Sequence, residues 1–175
     1  MRIVVCVKHV PDMQSERRFE GGRLVRGEDD VLNELDENAI EAAVQLKESE
    51  EDAGREAEVI ALTMGPEDAE DALMRALQMG ADRAFLVSDE FLEGSDVITT
   101  ASVLSVAIAK ISEECGPVDL VVTGMASLDA MTSMLPGALA AKAHMPLLGL
   151  ARSMSVEDGT VTIERSVDGF TETLR

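Results

Sequence analysis

Ile3-Val4-Val5-Cys6-Val7 is an unbroken apolar run, largely β-branched. Without polar alternation, such a run reads as a strand buried on both faces. It ends at Lys8-His9-Val10-Pro11-Asp12, where Pro11 removes a ladder donor. Residues 13–30 carry no hydrophobic period, so they are predicted as a loop or a short hairpin around Gly21-Gly22. The period then becomes helical. Ala39, Ile40, Ala43, Val44 and Leu46 share one face, with Asn33 or Asp36 expected to cap the helix.

The alternation repeats down the chain. Val59 to Leu62 is a second strand, followed by the tight turn Thr63-Met64-Gly65-Pro66, with Pro66 at or near the first position of a helix carrying Ala69, Ala72, Leu73, Ala76 and Leu77. That helix ends at Met79-Gly80, where glycine suits a left-handed C-terminal cap. Ala84 to Val87 is strand three. Ser95 or Asp96 is expected to cap a helix over 97–114, and Val118 to Thr123 is strand four, ended by Gly124. Leu135 to Ala143 reads as a helix, Pro146 to Leu150 as a fifth short strand, and Val156 to Val167 as a hairpin turned at Asp158-Gly159. Apolar strands alternating with helices imply a parallel sheet with helices on both faces. Ligands of such sheets gather at the carboxyl ends of the strands, near the point where strand order reverses. The segments to inspect are therefore 8–12, 64–66, 88–89 and 124–132.

Composition narrows the functions. The 175 residues suffice for one α/β domain over 1–175, with about 151–175 as a hairpin extension. There is no Trp or Tyr and the net charge is −19, so base stacking, nucleic-acid binding and attraction to anionic membranes are disfavoured. No apolar run is long enough for membrane insertion. The acid is unevenly spread: Arg17, Arg18, Arg23 and Arg26 crowd one segment, which reads as a solvated loop or a contact for a partner or a phosphate. Cys6 and Cys115 make no metal-ligand or CxxC spacing, and the start at Met1-Arg2-Ile3 shows no leader, so a cytoplasmic setting is expected.

The chemistry on offer is modest. Gly65 and Gly124 leave backbone amides at strand ends, which suits an anion. Neither GxGxxG after strand one nor GxxxxGK[ST] is present. His9 reads as a solvated loop residue, and strand alternation sets it on the opposite face from Cys6. Asp129 and Thr132 are placed to hold a ribose or phosphate, or Thr132 or Ser133 to cap the following helix. Met125, Met131 and Met134 read as adaptable packing or as a soft contact surface.

These motifs, taken in order, resemble the electron transfer flavoprotein β-subunit family. The resemblance is carried by Val5 to Asp12, Asn33 with Ala39 to Glu48, Met64-Gly65-Pro66, Ala76 to Arg83, Asp119 to Gly124, Glu164-Arg165, Val167-Asp168-Gly169 and Glu172-Thr173-Leu174. It implies a Rossmann-like, adenine-nucleotide-binding type of three-layer α/β fold with a mostly parallel sheet and a C-terminal β-hairpin. It implies no catalysis by this chain. Instead, a heterodimer with an α-like subunit that holds FAD passes electrons between acyl-CoA or other dehydrogenases and an acceptor. It further implies AMP, or a second FAD, at Cys6, Val7, Asn33, Asp36, Met64, Gly65, Gly124, Asp129, Thr132 and Ser133.

The loop after Gly124 departs from the family pattern: Ala126 stands where a Gln or Glu is usual, and Met134 and Leu135 replace polar residues. The family pattern also runs on past Glu172-Thr173-Leu174 into a partner-recognition loop and a C-terminal arm, whereas this chain ends at Arg175. These departures keep open a stand-alone adenine-nucleotide-binding protein or a degenerate, ligand-free homologue without a redox role. A small enzyme using Cys6, His9 or Asp129 is the third reading.

Overall fold

The computed structural model describes residues 1–175. Its centre is a four-stranded parallel sheet. Strand β1 (Arg2–Cys6) lies between β6 (Glu58–Met64) and β8 (Leu120–Thr123), and β7 (Arg83–Val87) flanks β6. Ile3 stands opposite Val59 on one side and Leu120 on the other. Being central, β1 has no wet face, which is why its run is apolar without alternation: Ile3, Val4 and Val5 are wholly buried. Full burial of each such side chain contributes roughly 1.5–3 kcal/mol.

The alternation of side chains divides the core in two. Ile3, Val5, Val59 and Ala61 face α1 (Glu34–Asp52) and α2 (Glu70–Gln78), packing on Ile40, Ala43, Leu73 and Ala76. Val4, Cys6, Ile60 and Leu62 face α3 (Val97–Cys115) and α4 (Leu135–Ala143), packing on Leu104, Ile108 and Leu139. The layers are helix, sheet, helix, as expected.

Short elements fill the first long connection. β2 (His9–Pro11) pairs antiparallel with β5 (Asp30–Leu32), and β3 (Phe19–Glu20) with β4 (Arg23–Leu24) around Gly21-Gly22. Pro11 thus ends a ladder, but that of β2 rather than that of β1. It is the last residue of β2, where its missing donor costs least. Pro66 stands just ahead of a 3₁₀ turn, Glu67–Ala69, that leads into α2. Strand β8 starts at Leu120 rather than Val118, because the Val118 N–H donates to the Ser112 hydroxyl at 3.0 Å instead of a ladder partner.

The exit of α2 shows why its sequence works. The Gly80 N–H donates to Leu77 O and the Ala81 N–H to Ala76 O, both at 3.1 Å, with Gly80 at φ +116°. These paired bonds close the helix as a Schellman motif. A Cβ on Gly80 would also stand 3.2 Å from the Val44 methyls on α1.

Two expectations are corrected at the C-terminal end. Pro146 to Leu150 is not a strand. It follows α4 as irregular chain, with Leu150 in the left-handed region at φ +61°, a conformation no ladder admits. The C-terminal hairpin, β9 (Ser153–Glu157) and β10 (Thr160–Val167), gains a third antiparallel strand, β11 (Phe170–Leu174), through a second turn at Asp168-Gly169. Met154 and Val156 seat this sheet against the core on the α1 side. No helix is long and apolar enough to cross a membrane.

Candidate functional site at the strand ends

From β1 the chain proceeds outward to β6 and β7, then crosses to β8 on the other side of β1. The strand order therefore reverses between β1 and β8, and their carboxyl ends form the crevice where parallel sheets of this kind bind ligands. The residues that meet there come from the ends of β1 and β8 and the first turn of α1.

Asn33 holds the N-cap position of α1, yet its side chain caps nothing. Its carboxamide spans the crevice instead: Nδ2 donates to Ala126 O at 2.9 Å, and Oδ1 accepts from the Leu128 N–H at 3.0 Å. Wholly buried, Asn33 moulds the loop after β8. Asp36, the other capping candidate, accepts from the Lys8 N–H at 2.8 Å, and Gly124 lies against its far side. A Cβ on Gly124 would come 2.1 Å from Asp36 Oδ1 and 3.0 Å from Leu35 O. Glycine is needed there for close approach rather than for φ. α1 has no side-chain cap, and the acidic Glu34 and Glu37 of its first turn suit the helix dipole. Burial pushes the Asp36 carboxyl up to about 7, against the lowering effect of its hydrogen bonds.

Asp129 has the opposite fate. Its side chain is only 2% exposed. Burial alone would raise its pKa, but Lys8, Ser127 and Arg26 outweigh that and hold the carboxyl well below the usual range. Lys8 Nζ reaches its two oxygens at 2.8 and 3.0 Å, and the Arg26 guanidinium pairs with it from the other side. Ser127 Oγ lies 3.5 Å from the same ammonium. Two carboxylates at one crevice are thus driven apart, one towards neutrality and one firmly charged.

The remaining candidates fall into three groups. Cys6 and Val7 lie buried at the end of β1, Val7 with its side chain in the α1-side core and its N–H bonded to Leu62 O at 2.9 Å. Burial, then the nearby Asp36 charge, pushes the Cys6 thiol up to about 12, so it presents a neutral thiol rather than a nucleophile at neutral pH. Met64 and Gly65 end the neighbouring strand β6, with the Gly65 N–H spent on Val87 O at 3.1 Å. Thr132 and Ser133 are exposed on the loop ahead of α4. Neither caps that helix, since its N-cap residue is Met134 and Ser133 is in the left-handed region at φ +50°. Their backbone N–H groups make no bond within the chain, which leaves two amides and two hydroxyls at a helix N-terminus.

Other expectations need correction. Met125, Met131 and Met134 do not pack inward; all three are more than half exposed, on the chain between β8 and α4. His9 is not a solvated loop residue but a β2 residue opposite Leu32, with a buried Nε2 lacking a partner. Thr63, wholly buried near the end of β6, has an unpartnered hydroxyl. Pairing of Lys8, Arg26 and Ser127 with Asp129 was not legible in the sequence. The partners are separated by as many as 121 residues, and only strand order brings them together.

The arrangement defines a parallel α/β protein with a candidate crevice at the reversal between β1 and β8. A family model described as "Electron transfer flavoprotein domain" matches residues 22–175. Among individual proteins, the chain is 39% identical over 169 residues to the electron transfer flavoprotein subunit beta of Mycobacterium tuberculosis, covering 95% of this chain and 62% of that one. It is 36% identical over 170 residues to the subunit of the same name from Megasphaera elsdenii, covering 94% and 61%. It is also 36% identical over 180 residues to protein FixA of Azorhizobium caulinodans, covering 100% and 62%. The chain belongs to the electron transfer flavoprotein family. It spans about 62% of the length of the curated relatives it matches.

Proposed function

We propose that this chain acts as the nucleotide-bearing part of a β-type electron transfer flavoprotein subunit, an electron-carrier component rather than a catalyst. Residues 1–175 serve as one unit. It would pair with an α-like subunit that holds FAD and pass electrons between dehydrogenases, acyl-CoA dehydrogenases among them, and an acceptor. The observation that carries this reading is the crevice between β1 and β8, where Asn33 holds the 126–128 loop in a chain 39% identical to a β subunit.

The residues present fit an adenine nucleotide. The exposed amides and hydroxyls of Thr132 and Ser133 at the α4 N-terminus suit a phosphate. Backbone donors there compensate for Ala126, which offers no side-chain donor. Cys6, Asn33, Asp36 and Gly124 close the floor of the crevice, and Met64 and Gly65 flank it from β6. FAD, when bound, supplies the electron transfer itself. The chain's own part is to bind and orient. The exposed Met125, Met131 and Met134 provide an adaptable contact surface for the α-like subunit. The two free cysteines suit a reducing cytoplasm.

The test is co-expression with an α-like subunit, followed by copurification, a visible spectrum and mass spectrometry of nucleotides released on denaturation. A yellow heterodimer releasing FAD and AMP, or FAD alone at two equivalents, is expected. A colourless chain that copurifies with no partner and releases no nucleotide would favour the ligand-free reading.

A further inference from the structure

Residues 12–30 hold a position that the family assignment does not explain. None of them is buried, so apolar packing does not fix the segment in place. Polar bonds do, and they reach the carboxyl ends of the sheet's strands. Beyond β7, Arg23 pairs with Glu93 at 2.7 Å, and its guanidinium would lie 2.8 Å from a Cβ on Gly94. Beyond β6, a Cβ on Gly27 would come 3.4 Å from Asp68. Beyond β1, Arg26 donates to His9 O at 3.3 Å. Beyond β8, Arg17 donates to Leu128 O at 3.1 Å and Arg26 pairs with Asp129. The segment runs across the whole edge at which the crevice opens.

We propose that residues 12–30 form an ion-paired strap that gates the crevice between β1 and β8, with Asp129 as its latch. The gating role rests on the nucleotide reading above; the latch rests on the geometry alone. The bonds differ in strength in a way that assigns the latch. Arg23 and Glu93 are both largely exposed, and such pairs are weak and screened by salt. Asp129 is almost wholly enclosed, so its pairing with Arg26 is screened far less. Lys8 holds the same carboxylate from the body of the protein, so the latch has one cation on the strap and one on the sheet. Asp129 keeps its charge at ordinary pH and its enclosure shields the pair from salt, so the latch holds where the exposed Arg23 pair gives way. The strap's ends are fixed by the ladder between β2 and β5, so it swings without detaching.

Four trypsin sites, after Arg17, Arg18, Arg23 and Arg26, lie in the strap and report its opening directly. Cleavage there is expected to quicken about tenfold in D129N at low salt, since a latched segment is cut only through its open state. Raising salt to about 0.5 M should quicken the wild type far less than D129N does, since it screens the exposed Arg23 pair and leaves the enclosed latch. Arg26→Gln, which removes the latch from the strap side, should speed cleavage at the other three arginines and guards against a folding defect peculiar to D129N. Radiolabelled AMP supplies the second arm. In Arg26→Gln, which leaves Asp129 in place, both its association and its release should accelerate severalfold while Kd moves little.

Strap cleavage unchanged in both variants would overturn the latch. Faster release with unchanged association would also overturn it, since Arg26 would then be an ordinary ligand contact. If the wild-type protein binds no AMP, the nucleotide reading and the gating role both fall, while the tryptic arm still decides whether Asp129 holds the strap.

Discussion

Asp36 and Gly124 make one contact between them, and it sets a pH dependence. Asp36 is held near 7 in the folded protein but returns to about 3.8 when unfolded. Below about pH 3.8 it is protonated in both states and costs nothing. As pH rises towards 7 the unfolded chain sheds this proton while the folded one retains it. Stability therefore falls, by up to about 1.4 kcal/mol per pH unit from this group alone. Above 7 the loss is complete. Urea denaturation of wild type and D36N across pH 4–8 should show the wild type losing stability relative to the variant through this window. Parallel profiles would mean that Asp36 is not the buried acid described. The sequence marked Asp36 as a helix cap because Asp near a helix start usually is one. Its real partner, the Lys8 N–H, is 28 residues away and reaches it only once β1 and α1 have packed.

Elements were the most legible level, because their signals are local. The four strands of the main sheet and all four helices lie where apolar runs and helical periods predict them. The Gly80 exit depends on two nearby bonds and one φ, all within six residues. Gly80→Ala would impose a side chain at φ +116° and press a methyl against Val44. A loss of about 1–3 kcal/mol is expected by thermal or urea unfolding. A variant as stable as wild type would show that the cap tolerates a side chain. The misreadings were equally local. Pro146 to Leu150 has strand-like composition, yet adopts a left-handed residue at Leu150. β11 was missed because Phe170 to Leu174 alternates weakly and is mostly exposed, so burial left no pattern to read.

At the scale of the molecule, strand order and layer assignment do what local pattern cannot. The parallel sheet and its two helical layers followed from the alternation of elements. The meeting of Lys8, Arg26 and Asp129 followed only from the order β7-β6-β1-β8. The C-terminal sheet is seated on the core by Met154 and Val156, and Ile163 is the one wholly buried residue of β10. Ile163→Ala should destabilise by about 2–5 kcal/mol if that sheet folds as part of the same cooperative unit. A separate early transition in the variant, seen by circular dichroism but not by core probes, would show that the sheet unfolds alone.

The central place of β1 also governs the order in which the chain can mature during synthesis. Of the four strands of the main sheet, the first to leave the ribosome is one flanked on both sides in the finished sheet. Its neighbours lie 56 and 117 residues downstream, as the pairings of Ile3 with Val59 and Leu120 show. Ile3 to Val7 must therefore wait, apolar and paired on at most one side, until the chain has been made as far as Thr123. The heavily charged, aromatic-poor remainder of the sequence keeps such a nascent chain dispersed until Thr123 emerges and the sheet can close around its oldest strand.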